Sequence, residues 1–548
     1  MSSSYQEVSK MLSHAHDLAD YEDFINNELF AGKPLAECIS EIQRIYCHDA
    51  RPWIIGYSGG KDSSAVTTLV YLALLGLPPE LRTKEVFIVT SDTLVETPVV
   101  VDLIKNSMRL IESSGVRDGL PVSQHVVTPK ISETFWVNLL GKGYPAPSRN
   151  FRWCTERMKI DPVSEFIKDK ISKHDEVVIL LGARSDESSS RAQVIAKHRI
   201  DGSRLARHTT LPNAFIYTPI DTWNTDEVWA LLRGAFRYTP DDIEEWETPW
   251  GGTNRPLWSL YMQSSSQGEC PLVIDESTPS CGNSRFGCWT CTVVTKDRAM
   301  ENLIQNGEDW MLPLLSFRDV LAKTTEPDQK GIYRNFKRRN GRVTYQNAKE
   351  GEDISTVRKH TPGPYWLKYR KIWLQELLVL ERNLNESGKK IELITEAELH
   401  AIRQHWLRDP NEPDWADELP RIYKDVFGKD LPWVIDDQSQ FDQFDAQLLT
   451  QVSSEYSVSA EMVMKLIELE VSMEGLSRRH GIFDKIENIL SKDWGSLEEI
   501  QESHGELQKK HEKDLHKLDI ENIDAELSSV IKQMHAIEGV TGEINDDN

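Results

Sequence analysis

Residues 53–63 read WIIGYSGGKDS, and an apolar stretch from Ala65 to Leu75 follows. Trp53 to Tyr57 has the pattern of a buried strand, Ser58-Gly59-Gly60-Lys61-Asp62-Ser63 that of a tight turn, and the stretch after it that of a helix. Glycines between a strand and a helix let backbone N–H groups turn toward an anion at the helix N-terminus. Lys61 brings a positive charge to that point, Ser58 and Ser63 bring hydroxyls, and Asp62 is a candidate magnesium ligand. The stretch is not a P-loop, which needs four residues between its first glycine and the closing Gly-Lys-Ser/Thr. An ordinary glycine-containing turn is the plain alternative.

The alternation continues outward from this stretch. Strands are predicted at 53–57, 85–91, 123–128, 177–182 and near 215–220, with helices at 62–75, 96–114 and about 160–172. Such alternation predicts an α/β fold, a doubly wound parallel sheet, whose ligands sit at the carboxyl ends of the strands. Ser58, Asp92 and Gly182 fall at such ends. The chain divides into an N-terminal helical segment (1–48, helical from 15), a nucleotide-binding domain (49–245), a cysteine-rich loop region (246–296), a helical and basic domain (297–430, with a helix over 365–384) and an acidic helical tail (431–548).

The chain has 548 residues, enough for several domains, and a formal net charge of −24. That charge is unevenly spread. Residues 431–548 carry 26 acids and 10 bases, whereas residues 1–430 carry 61 acids and 53 bases. The body therefore remains compatible with a nucleic-acid partner despite the acidic total. No run has the length of an apolar membrane span, and the first residues lack the apolar core of a signal peptide, so a cytoplasmic location without membrane contact is expected. Of the 7 cysteines, five lie between Cys154 and Cys291. Clustered thiols in a reducing compartment point to metal ligation before disulfides.

Three further stretches carry chemistry. LGARSDESSSRA (181–192) follows an apolar strand, which directs Arg184 and Arg191 toward the same cleft as the glycine loop. Both can grip phosphate oxygens, with Glu187 holding one of them in place; a solvated surface pair is the alternative. Downstream, TPIDTWNTDEVWALL (218–232) predicts a helix with Thr225 as its N-cap. Cys281-GNSRFG-Cys288-WT-Cys291 offers three thiolates from one loop. The fourth is assigned to Cys154 in NFRWCTERM, with Cys270 as the other candidate. Spacing alone does not separate zinc from an iron–sulfur cluster. KGIYRNFKRRNGRVTYQNAK (330–349) interleaves seven Lys/Arg with three aromatics. That combination suits phosphates and unpaired bases, or a solvated salt-bridged face. The last segment, 502–539, has leucine and isoleucine at mixed three- and four-residue steps, as in a partner helix or a solvated amphipathic one.

The SGGKDS loop resembles the pyrophosphate loop of the N-type ATP pyrophosphatases, and G-x-R-x-x-E-S-x-x-R (182–191) resembles the phosphoadenosine-phosphosulfate reductase branch of that superfamily. The resemblance implies an adenine nucleotide α-hydrolase-like sheet. It also implies ATP with Mg2+, bound by Ser58, Gly59, Gly60, Lys61, Asp62, Ser63, Asp92, Gly182 and Glu187, with Lys61, Asp62, Arg184 and Arg191 catalytic. Iron–sulfur reductases and tRNA thiolases of the superfamily also take cluster ligands from more than one segment. That favours a [4Fe-4S] cluster on Cys154, Cys281, Cys288 and Cys291. With the basic stretch leading into HTPGPYWLKYRKIWLQELL (360–378), residues 15–430 resemble the DndC-type proteins of bacterial DNA phosphorothioation. That resemblance implies an ATP pyrophosphatase and sulfurtransferase acting on a DNA backbone oxygen. Its partners would be DNA, a cysteine desulfurase as sulfur donor, and other DNA phosphorothioation proteins. A phosphosulfate reductase, a tRNA-thiolating enzyme and a non-catalytic nucleotide-binding subunit of a DNA-modification complex share parts of the pattern. The reductases are shorter and end in a nucleophilic cysteine, whereas no cysteine follows Cys291 here.

Overall fold

The computed structural model describes residues 29–185, 200, 204–234, 246–263, 287–345, 360–409, 411–434, 443–473 and 481–506. Two compact units form: Met1–Arg334 with Tyr365–Ile435, and Asn335–Pro364 with Asp436–Asn548.

The first unit begins with a small antiparallel hairpin, β1 (Leu29–Phe30) and β2 (Lys33–Pro34), and then helix α1 (Leu35–His48). The hairpin corrects the helical reading of this stretch. Ala31 and Gly32 both take left-handed φ values, 49° and 78°, which turn the chain back at once. A six-stranded sheet follows: β3 (Trp53–Gly56), β4 (Val86–Ser91), β5 (Val122–Val127), β6 (Val177–Leu180), β7 (Ala206–Arg207) and β8 (Ala214–Tyr217). Its spatial order is β5-β4-β3-β6-β8-β7, parallel throughout except for β7 against β8.

Strand alternation assigns the two faces. Trp53 and Ile55 of β3, Val178 and Leu180 of β6, and Phe215 and Tyr217 of β8 pack with α1 and with helix α2 (Lys61–Leu75). Ile54, Val177, Ile179 and Ile216 point the other way, onto Val163 and Ile167 of helix α3 (Asp161–His174). Both faces are covered, which explains why these strands read as continuous apolar runs. Helix α2 is buried along its whole length, so its sequence is apolar nearly all round.

A second core in the same unit joins residues 135–158 to the later helices Leu312–Lys323, Leu367–Glu386, Glu396–Leu407 and Glu418–Phe427. Two buried indoles fasten it. Trp136 Nε1 donates to Leu393 O at 2.7 Å, and Trp406 Nε1 donates to Leu140 O at 2.7 Å. The helical region therefore does not start afresh at 297; it shares its core with the chain after β5.

In the second unit the segment from Asn335 joins the helices Gln443–Glu455, Ala460–Ser472 and Ile482–Leu490. Lys337 pairs with Glu461 at 3.6 Å, Val343 N donates to Asp493 at 2.6 Å, and Arg342 donates to Ser491 at 3.0 Å. From Asn335 on, the basic stretch thus groups with the acidic tail and not with the 297–430 domain assigned from composition. Lysine and arginine beside an acidic helical segment gain hydrogen bonds there, and composition along the chain does not register such through-space pairing. Among the described residues no helix is long and apolar enough to cross a membrane.

Candidate functional site

After β3 the chain moves to β4 and β5, and β6 then takes the opposite flank of β3. The carboxyl ends of β3 and β6 therefore meet at the topological switch point, where doubly wound sheets bind ligands. The glycine loop leaves β3 there. Gly59 adopts φ 71°, Gly60 is the N-cap of α2, and Lys61 opens the helix. Ser63 Oγ accepts from Ser58 N at 3.2 Å and donates to Gly60 O at 3.0 Å, while the two serine hydroxyls lie 3.1 Å apart. Both hydroxyls are used to hold the loop's curve.

Lys61 and Asp62 are buried, at 2% and 8% exposure. Lys61 Nζ donates to Asp62 Oδ2 at 2.6 Å, and Arg184 Nε donates to Asp62 Oδ1 at 2.8 Å. The same guanidinium donates to Trp223 O at 3.2 Å and to Thr225 Oγ1 at 3.1 Å. Arg184, predicted to grip a phosphate, here braces the loop against the segment after β8. Each oxygen of Asp62 accepts from one cation, so in this arrangement the carboxylate holds Lys61 and Arg184. Thr225 is not the N-cap. Asn224 caps helix α4 (Thr225–Arg233) in a reciprocal box with Glu227, which leaves the Thr225 hydroxyl to accept from Arg184.

Gly182 sits where the two strand ends touch. A Cβ there would lie 2.6 Å from the Asp62 carbonyl carbon and 2.7 Å from Ser63 N. Those atoms are helix backbone and have no rotamer to retreat into. Gly182→Ala is expected to cost ~1–3 kcal/mol of stability, as overpacking does, and to displace the loop. Thermal melts and nucleotide titration of the purified variant check this; wild-type values in both would show that the start of α2 shifts freely.

A cavity of about 380 Å³ opens beside the end of β4, lined by Asp92, Glu96, Ile104, Met108, Arg109 and Gln124. Asp92 lies where the sequence placed it, and its Oδ1 accepts from Leu94 N at 2.9 Å. Ile104 connects this cavity to the loop, because a Cβ on Gly59 would meet it at 2.4 Å.

The cysteine segment docks on the chain after β4. Trp289 N donates to Val95 O at 3.0 Å, and Thr97 Oγ1 donates to Gly287 O at 2.9 Å. Cys288 Sγ lies 3.3 Å from Thr93 Oγ1. Burial pushes its thiol well above the ordinary range, and the charges of Glu96 and Cys154 add to the effect. Cys291 N donates to Cys288 O at 3.0 Å, closing a tight turn, and fully buried Arg318 donates to Cys291 O at 2.7 Å. Cys154 and Cys288 both pack against the second core, within electrostatic reach of one another, and Cys291 lies one turn further on.

Among the described residues, no three His, Cys, Asp or Glu side chains are grouped to hold a metal ion. A four-thiolate site therefore requires Cys291 and Cys281 to close on Cys154 and Cys288. Cys281, its alternative Cys270, Glu187 and Arg191 lie outside the described residues. Orphaned donors accompany the thiols: Arg152 Nε and Nη1 and the hydroxyl of fully buried Thr290 have no hydrogen-bond partner among the described residues. Buried donors left unmade are costly. Two such residues within two positions of cysteines fit a group rich in acceptors, such as the sulfides of an iron–sulfur cluster.

Residues 52–236 match the family model described as phosphoadenosine phosphosulfate reductase domain. An uncharacterised protein of Methanocaldococcus jannaschii is 28% identical over 194 residues, which are 35% of this chain and 34% of that protein. The chain thus spans about a third of the length of this curated relative. Among solved structures, phosphoadenylyl-sulfate reductase from Candida auris in its phosphate complex is 14% identical, with 35% of this chain and 77% of that one covered and a TM-score of 0.24. The U34-tRNA thiolase of Methanococcus maripaludis with its [4Fe-4S] cluster is 12% identical, with 54% and 83% covered and a TM-score of 0.24.

Several site residues carried no sequence signal. Tyr261, on helix α5 (Arg255–Gln263), accepts from Lys61 N at 3.2 Å. Ser185 donates to Asp221 at 2.5 Å, and Thr93 and Glu96 flank Cys288. Each belongs to the site through space alone, with no spacing rule to mark it.

Proposed function

We propose that this chain is an ATP pyrophosphatase and sulfurtransferase that activates a DNA backbone phosphate oxygen for replacement by sulfur. The observation carrying this reading is the glycine loop at the β3–β6 switch point, with Lys61 and Arg184 converging on Asp62 inside the residues that match the phosphoadenosine phosphosulfate reductase domain model. Loop N–H groups and Lys61 would take the pyrophosphate part of ATP, accompanied by Mg2+, and the cavity beside Asp92 would take the remainder of the nucleotide. Attack by a non-bridging DNA oxygen on the α-phosphorus would release pyrophosphate and leave an adenylated phosphodiester. Sulfur at the sulfide level would then displace AMP, which departs with the original oxygen. A cysteine desulfurase would deliver sulfur as a persulfide, and an external two-electron reductant such as a pair of thiols, oxidised to a disulfide, would bring it to that level. A [4Fe-4S] cluster held by Cys154, Cys281, Cys288 and Cys291 would supply electron transfer or sulfur binding when present. The test is product identity: the full chain with ATP, DNA and a sulfur source should yield AMP and pyrophosphate, and ADP with phosphate would reject the reading.

DNA contact falls to the basic segment of the second unit. Arg338, Arg339 and Arg342 are exposed around the turn at Gly341, while Lys337 is buried against Glu461 and Trp494. Replacing Arg338 and Arg339 with Ala should weaken DNA binding and reduce its salt slope by roughly one unit for each phosphate no longer neutralised. ATP cleavage without DNA should persist, because the glycine loop lies in the other unit. Phosphorothioate content of cellular DNA, measured after nuclease digestion, should fall. Unchanged content would make the segment a solvated face.

A further inference from the structure

We infer that Tyr261 is a phosphate-binding residue of the nucleotide site, contributed from outside the 52–236 domain. This assignment rests on the glycine loop being a pyrophosphate site. The phenol lies directly over the loop. Its oxygen accepts from Lys61 N at 3.2 Å, and a Cβ on Gly60 would approach it to 3.2 Å. The Lys61 ammonium lies 5.8 Å from the ring centroid. Tyr261 therefore touches three elements of the loop at once: the N–H that opens α2, the glycine before it and the lysine charge.

The ring has little freedom to leave. Tyr261 is 6% exposed and stands edge-on to Trp229 at 5.1 Å, and Trp229 also packs edge-on against Trp258 at 4.8 Å. Helix α5 is itself fixed at its start, where Asn254 Nδ2 donates to Leu232 O at 2.8 Å and Asn254 O accepts from Trp258 N at 2.9 Å. A phenol offers one O–H donor and two lone pairs. Accepting from Lys61 N uses a lone pair, and the O–H rotates about the ring bond to donate to an anion seated on the same loop. Tyr261 thus does two things. It holds the first N–H of α2 in place, and it supplies a neutral donor beside Lys61 where phosphate charge gathers.

The test uses Tyr261→Phe in the full chain, which keeps the ring and its packing on Trp229. Isothermal titration with magnesium pyrophosphate should show a Kd raised about tenfold or more, as expected when a hydrogen bond to an anion is removed. The thermal midpoint should stay near that of the wild type, and the KM for ATP should rise more than kcat falls. An unchanged Kd for pyrophosphate overturns the assignment. A wild-type chain that binds neither pyrophosphate nor ATP overturns the nucleotide reading itself, a signature distinct from a variant that matches a binding-competent parent.

Discussion

Lys61→Ala is expected to lower ATP cleavage by at least ~10-fold, and by ~100-fold if its bond to a phosphate oxygen has the upper value of a charged hydrogen bond, ~1.5–3 kcal/mol. The structure adds a second effect. Lys61 is buried and paired with Asp62 at 2.6 Å, and Asp62 also receives Arg184 at 2.8 Å. Removing one cation from a buried carboxylate destabilises by ~3–5 kcal/mol where the remaining charge is left uncompensated. Arg184 stays in place here, so the destabilisation should fall at or below the lower end of that range. Activity and thermal midpoint should therefore fall together in Lys61→Ala. Comparing it with Asp62→Asn separates the two. Asp62→Asn leaves Lys61 and Arg184 buried without their carboxylate, so stability should fall, while Lys61 remains to meet the phosphate and more AMP and pyrophosphate production should survive than in Lys61→Ala. Full activity in Lys61→Ala would remove Lys61 from the phosphate site. Equal losses of activity in Asp62→Asn and Lys61→Ala would make the role of Lys61 purely structural.

The parts of the fold that sequence reading reached are those with a local cause. Strands β3, β4 and β6 are short apolar runs between turn residues, and β3, β4, β5 and β6 lie within about two residues of their expected places. The glycine loop and Gly182 were legible because backbone approach demands residues without side chains. What escaped has no local cause. The two-residue β7 has too little sequence to carry a period, and it exists only because β8 offers an antiparallel edge. Arg184 looked like a phosphate clamp from its motif, yet its partners Trp223 and Thr225 come from a later crossover that places them beside it. Thr225 lost the cap to Asn224 by one position. The reciprocal box needs Glu three residues on, and Glu227 stands at that distance from Asn224. The division of the helical half failed for a related reason. Trp136 and Trp406 are far apart in sequence, and only their buried N–H groups, each seeking a carbonyl, show that they share one core.

Cys288→Ala should abolish an oxygen-sensitive iron–sulfur chromophore in anaerobically prepared protein, with iron and acid-labile sulfide falling from stoichiometric to near zero. The effect follows from position, since Cys288 lies against Thr93 and Glu96 of the segment after β4 and packs on the same core as Cys154. The substitution should also separate apo from holo stability. Without a metal, Cys288 is a small half-buried side chain whose truncation costs about 1 kcal/mol or less. With a cluster, ligation free energy becomes folding free energy, and removing one thiolate also loosens the docking of the chain after β4 on the Trp289 core. The shift in thermal midpoint should therefore be several-fold larger in the anaerobic protein than in the metal-stripped one. Cys154→Ala should behave alike if that thiol is the fourth ligand, whereas cluster loss confined to Cys270→Ala would move the assignment there. Stoichiometric zinc with no iron in the anaerobic wild type would reject the cluster and leave a structural zinc site. Equal shifts in both preparations would mean that Cys288 serves packing alone.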